Sequence, residues 1–158
     1  MFKKIKPYIF SVLIPLAVGG ISALLTKDAV ELFSYKIQPP LSPPSWLFPI
    51  VWTILYILMG IGSGIVYVNR KNNPDASASA LRVYALQLAV NFLWSIIFFN
   101  FEAYLFAFIW IILLLVLIAV MISRFGKISR LAAILQIPYF LWVSFAAYLN
   151  FAVWLLNR

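Results

Sequence analysis

Five stretches of the chain carry no charged residue: 7–26, 37–69, 83–101, 103–123 and 131–157. A helix rises about 1.5 Å per residue, so roughly 20 residues cross the ~30 Å hydrocarbon core of a bilayer. Each stretch is long enough to cross once. A soluble fold would lack the polar surface to cover such runs, and the composition, 65% hydrophobic and 10% charged, directs them into lipid. The chain therefore reads as an all-α integral membrane bundle of five transmembrane helices. It is a single domain over 1–158, with spans near 7–26, 46–68, 83–100, 103–123 and 131–155.

The position of the charges sets an orientation. With five spans, the N-terminus, second loop and fourth loop share one side and hold Lys3, Lys4, Lys6, Arg70, Lys71, Arg82, Arg124, Lys127 and Arg130. The other side holds only Lys27, Lys36 and Arg158. Short basic loops are retained in the cytoplasm during insertion, so the expectation is a multi-pass protein of the cell membrane. Its N-terminus lies inside, and its first loop and C-terminus outside. The formal net charge of +8 then reflects insertion signals and attraction to anionic membrane lipid, and no nucleic-acid partner is expected. The first apolar run is too long for the core of a secretory signal and is read as a retained helix.

The missing residue types exclude much chemistry. The chain has no histidine and no cysteine, which removes Ser-His-Asp catalysis, imidazole or thiolate metal sites and disulfides; no metal and no resident cofactor are expected. The carboxylates Asp28, Glu31, Asp75 and Glu102 are all assigned to loops, so no acid or base is expected within a span.

The first loop, 27–45, is the long one, and Pro39, Pro40, Pro43 and Pro44 bar a regular helix from its end. A stiff connector and a lid over the bundle mouth are both open readings. Trp46 and Trp154 fall near span ends, as interfacial tryptophans do. Trp52, Trp94, Trp110 and Trp142 fall deeper, with Tyr56, Asn91, Tyr139 and Asn150 at similar depth. A buried indole N–H needs a partner, so these residues suggest a shared aromatic pocket for a flat apolar ligand, with core packing as the alternative. Pro138 inside the fifth span predicts a kink. Gly60 and Gly64, and Ala85 and Ala89, have the spacing that permits close helix approach, within the chain or in a dimer.

Three segments carry a family resemblance. They are Pro43-Pro-Ser-Trp46-Leu-Phe-Pro49-Ile-Val-Trp52-Thr-Ile-Leu-Tyr56, then Leu86-Gln-Leu-Ala-Val-Asn91-Phe-Leu-Trp94, then Pro138-Tyr-Phe-Leu-Trp142-Val-Ser-Phe145-Ala146-Ala-Tyr-Leu149-Asn150. In order and spacing the chain resembles a bacterial-type member of the tryptophan-rich sensory protein family, also called the translocator protein or peripheral benzodiazepine receptor family. The resemblance implies a five-helix bundle, a homodimer, and a receptor pocket under the first loop that binds protoporphyrin-like tetrapyrroles and benzodiazepine-site ligands. It puts Trp52, Asn91, Trp142 and Ala146 on pocket positions, with Tyr56, Trp94 and Leu149 at neighbouring helical spacings. Light- and oxygen-dependent porphyrin degradation, with Trp52 and Trp142 as the catalytic residues, is an alternative that the family suggests. Transport of porphyrin or lipid is another, and modulation of a second membrane protein a third. Three positions depart from the family pattern: Leu41 replaces a loop tryptophan, Trp110 an aspartate, and Phe151 the tyrosine of a proposed sterol motif.

Overall fold

The computed structural model describes residues 2–158, all helices and connecting loops among these residues. In chain order the helices are α1 (Phe2–Phe33), α2 (Leu47–Val68), α3 (Pro74–Ser95), α4 (Tyr104–Gly126), α5 (Arg130–Ile134) and α6 (Ile137–Asn157). A π-helical turn, Ile96–Asn100, extends α3. Helices α5 and α6 together make the fifth crossing, so five segments are long and apolar enough to span a membrane. The chain is a multi-pass membrane protein. Around the bundle, α1 packs on α2 and α3, α2 meets α5, and α4 packs on α3, α5 and α6.

Helix α4 illustrates how the bundle is held in lipid. Ala107, Ile111, Leu114, Ile118, Met121 and Phe125 repeat every three or four residues and are buried, while Phe106, Ile109, Leu113 and Val116 on other faces are exposed. Lipid tails are as apolar as leucine, so packing and interhelical hydrogen bonds, rather than hydrophobicity, choose the inward face.

The boundaries differ from the sequence reading where charged residues favour helix. Helix α1 continues past 26 to Phe33, which places Asp28 and Glu31 on its last turns rather than in a loop. Lys, Glu and Leu are good helix formers, and Phe33 anchors that end against Phe98, Phe99 and Tyr104, at ring distances of 5.3, 5.4 and 6.4 Å. Helix α3 starts at Pro74, nine residues before 83. Asn73 caps it by accepting from the Ala76 N–H at 3.3 Å, Pro74 needs no donor at the first turn, and Asp75 sits in that turn, where a negative charge suits the helix dipole. Glu102 is a loop residue, as expected.

Pro138 does more than kink the fifth span. The helix stops at Ile134, turns through Leu135 and Gln136, and restarts with proline in its first turn, where the missing N–H costs nothing. Gly60 and Gly64 of α2 face α1: a methyl group at Gly60 would strike the Val12 backbone, and one at Gly64 would crowd Tyr8. Their spacing serves contact within the chain.

Candidate functional site

The long loop is fastened to the C-terminal end of α6. The Ile37 N–H donates to Asn157 Oδ1 at 3.1 Å, Asn157 Nδ2 donates to the Ile37 carbonyl at 3.0 Å, and the Tyr148 hydroxyl donates to the Pro40 carbonyl at 2.9 Å. An exposed ion pair, Lys36 to Glu102 at 3.7 Å, ties it to the α3–α4 connection. The loop is thus a strap across one end of the bundle. Leu41, at its bend, is exposed and holds a left-handed φ of 68°.

Below the strap, the backbones of α2 and α6 stand apart along most of their length, and aromatic side chains fill the interval. Trp52 lies 5.6 Å from Tyr56, one turn further along α2, and 6.3 Å from Tyr139 on α6. Tyr139 is wholly buried; its hydroxyl accepts from Asn91 Nδ2 at 2.9 Å and donates to Gln87 Oε1 at 2.6 Å. The Tyr56 ring rests on Gly19 of α1. Trp52, Tyr56, Asn91 and Tyr139 are therefore one cluster drawn from α2, α3 and α6.

Trp142 is placed one turn beyond Tyr139, against Phe48 at 5.8 Å and Phe145 at 5.8 Å. It lines an open groove of about 550 Å³ with Val51, Ile54, Leu55, Pro138, Leu141 and Phe145. Its indole N–H is buried without a hydrogen-bond partner. Ala146 and Leu149 follow Trp142 at spacings of four and seven on α6 and are half-buried.

Trp94 and Trp110 belong elsewhere. Trp94 donates to Asn150 Oδ1 at 3.0 Å and stacks on Phe98 at 5.1 Å, while Asn150 Nδ2 donates to the Tyr104 carbonyl at 2.8 Å. This second cluster clamps α3, α4 and α6. Trp110 donates to the Val90 carbonyl at 2.8 Å, tying α4 to α3. The four deep tryptophans are thus divided among separate settings, each with its own neighbours. Three contributors escaped the sequence reading: Gln87, Phe48 and the Asn157 clamp. Gln87 stands four residues before Asn91 on an otherwise apolar segment, a polar pair on one helical face that could have been noticed. The other two are long-range contacts with no local signal.

The residues from 11 to 155 match the model of the TspO/MBR family. The chain is 37% identical over 143 residues to the tryptophan-rich protein TspO of Chlorobaculum tepidum, a match that covers 90% of each chain. It is 33% identical over 135 residues to the tryptophan-rich sensory protein of Cereibacter sphaeroides, covering 85% of this chain and 81% of that one. With the human translocator protein it shares 33% identity over 133 residues, covering 84% of this chain and 79% of the relative. Fold, helix count and sequence agree, and this five-helix membrane protein belongs to the TspO/MBR family.

Proposed function

We propose that the chain is a membrane receptor or sensor for porphyrins and similarly flat hydrophobic ligands, including benzodiazepine-site compounds, which it binds in the interval between α2 and α6. The carrying observation is that aromatic side chains meet across this interval, Trp52 on Tyr139 with Tyr56 and Asn91 on its inner side, and Phe48 on Trp142 at its groove side. A planar ligand entering there would meet indole and phenol faces for stacking and an unpaired Trp142 N–H for a polar edge. Ala146 and Leu149 continue the same face toward the strap. Trp94 would act from behind, by fixing α3 against α6. Protoporphyrin titration of the purified protein should quench tryptophan fluorescence saturably, and Trp142→Phe or Asn91→Ala should weaken binding several-fold, as loss of about 1 kcal/mol does. Unchanged affinity in both variants would place the site elsewhere.

A second reading, light-driven porphyrin degradation, is favoured by one feature: Trp52 contacts two phenols, Tyr56 and Tyr139, a short run of oxidisable rings, with Trp142 one turn beyond Tyr139 on α6. Illuminated wild type should then yield one defined product that Trp52→Phe with Trp142→Phe does not. The mixture obtained with free porphyrin in detergent would dismiss the reading.

The membrane is taken to be the cell membrane, with the N-terminus in the cytoplasm, on the strength of the charge bias. A homodimer is part of the proposal. Gly60 and Gly64 are occupied by α1, whereas Ala85 and Ala89 stay exposed on α3 and leave that helix a surface for a second copy.

A further inference from the structure

The inward face of α3 carries polar groups along its length, interspersed with Ala80, Val83, Leu88 and Val90. Ser77, Tyr84, Gln87, Asn91 and Trp94 share one helical face, and none is more than 9% exposed. From Ser77 to Trp94 that face runs roughly 25 Å, most of a bilayer core. Its two halves differ. Toward the 101–103 loop, the Asn91, Tyr139, Gln87, Trp94 and Asn150 side chains are joined by direct hydrogen bonds. Toward the 69–73 loop, three buried oxygens have no protein partner: Ser77 Oγ, Tyr84 Oη and Gln136 Oε1.

Two of the side chains that bear these oxygens flank adjacent residues of α2. The Gln136 amide occupies the space that a side chain at position 62 would fill, held by the Leu58 carbonyl at 3.2 Å. The Tyr84 hydroxyl lies beside Ser63 without closing a bond to it. Ser63 donates to the Gly60 carbonyl at 3.1 Å, which leaves its lone pairs able to accept. Ser77 continues the Tyr84 face two turns nearer the loop. At that end Arg124 reaches the Ser79 carbonyl at 3.5 Å, so the α4 terminus lies at the same mouth.

A buried hydroxyl or amide oxygen left unpaired costs about 1–3 kcal/mol, and hydrocarbon offers it nothing. Water does, and buried waters characteristically link such groups. We propose that this half of the bundle is a one-sided water path. It enters past Ser77, bridges Tyr84, Ser63 and Gln136, and ends at the Gln87–Tyr139 pair, against which Trp52 lies. On the α3 face the other half is closed by direct hydrogen bonds, the unpaired Trp142 N–H lying apart on the groove side of α6, so the aromatic cluster has aqueous access along α3 from one membrane face only, with or without a ligand.

The test is water-edited solid-state NMR of the labelled full chain in phospholipid vesicles, with water protons as the probe. Magnetisation should reach Ser77, Tyr84 and the Gln136 side-chain amide nearly as fast as it reaches the exposed loop residue Asn72. It should reach Trp94 and Asn150 several-fold more slowly. If Tyr84 and Gln136 are as slow as Asn150, or Ser77 alone is fast, the path does not exist. A second arm uses Tyr84→Phe. A dry, unpaired hydroxyl would leave a more stable protein when removed, so a raised melting temperature with unaltered transfer to Gln136 overturns the proposal. An unchanged or lowered melting temperature with slower transfer to Gln136 supports it. Should that variant fail to fold, the wild-type rates still decide.

Discussion

Asn150 is a single side chain on which two interhelical bonds converge, one from the Trp94 indole and one to the Tyr104 carbonyl. Truncating it strands the Trp94 indole N–H in a buried setting, which costs about 1–3 kcal/mol in soluble proteins and less where a membrane reference state offers other partners, and takes from the Tyr104 carbonyl the bond it makes beyond its own helix. Asn150→Ala should therefore lower the melting temperature in detergent clearly. Trp94→Phe should lower it less, because the ring stack on Phe98 survives. Equal stability of Asn150→Ala and wild type would show that the clamp contributes nothing. Leu41 shows the opposite economy: a non-glycine residue in left-handed backbone is strained by roughly 1 kcal/mol or more, and here it stands at the bend of the strap.

Among elements, α1 owes its position to how closely α2 lets it approach. A methyl group at Gly60 meets backbone rather than a yielding side chain, whereas one at Gly20 meets nothing within 4 Å. Gly60→Ala should destabilise by about 1–3 kcal/mol through forced separation of α1 from α2. Gly20→Ala should be neutral or stabilising by up to about 1 kcal/mol, from helix propensity alone. Thermal melting of the pair checks both signs, and a stable Gly60→Ala protein would disprove close packing at that crossing. The strap depends on one amide in a comparable way. Asn157→Ala removes both bonds to Ile37 and should speed thiol labelling of a cysteine placed at the half-buried Ser42. Lys36→Gln should hardly alter it, since exposed ion pairs contribute about 0–1 kcal/mol.

For the whole molecule, the testable quantity is orientation. Nine basic residues lie toward the side bearing the N-terminus and three toward the other. Cysteines introduced at the exposed positions Ser34 and Asn72 should report this with an impermeant thiol reagent on intact cells. Ser34→Cys should be labelled and Asn72→Cys protected. The reverse pattern would invert the topology.

Helix number, lipid-facing character and family were legible in the sequence because they depend on local quantities: run length, absence of charge and the order of three aromatic motifs. Helix ends were less so. Asp28 and Glu31 looked like loop residues on charge alone, yet Phe33 packing carries α1 past them, and Asn73 with Pro74 begins α3 well before its apolar run. The site divides along the same line. Trp52, Tyr56, Asn91 and Trp142 could be singled out from type and depth, but nothing local distinguishes them from Trp94 and Trp110, which the fold assigns to clamps. Which indole finds a carbonyl, which finds an amide and which finds none depends on helix azimuth and crossing distance. Composition and periodicity determined that this chain would fold as a membrane bundle rich in interior aromatics; only tertiary packing decided which of those aromatics are bonded shut and which face the interval between α2 and α6.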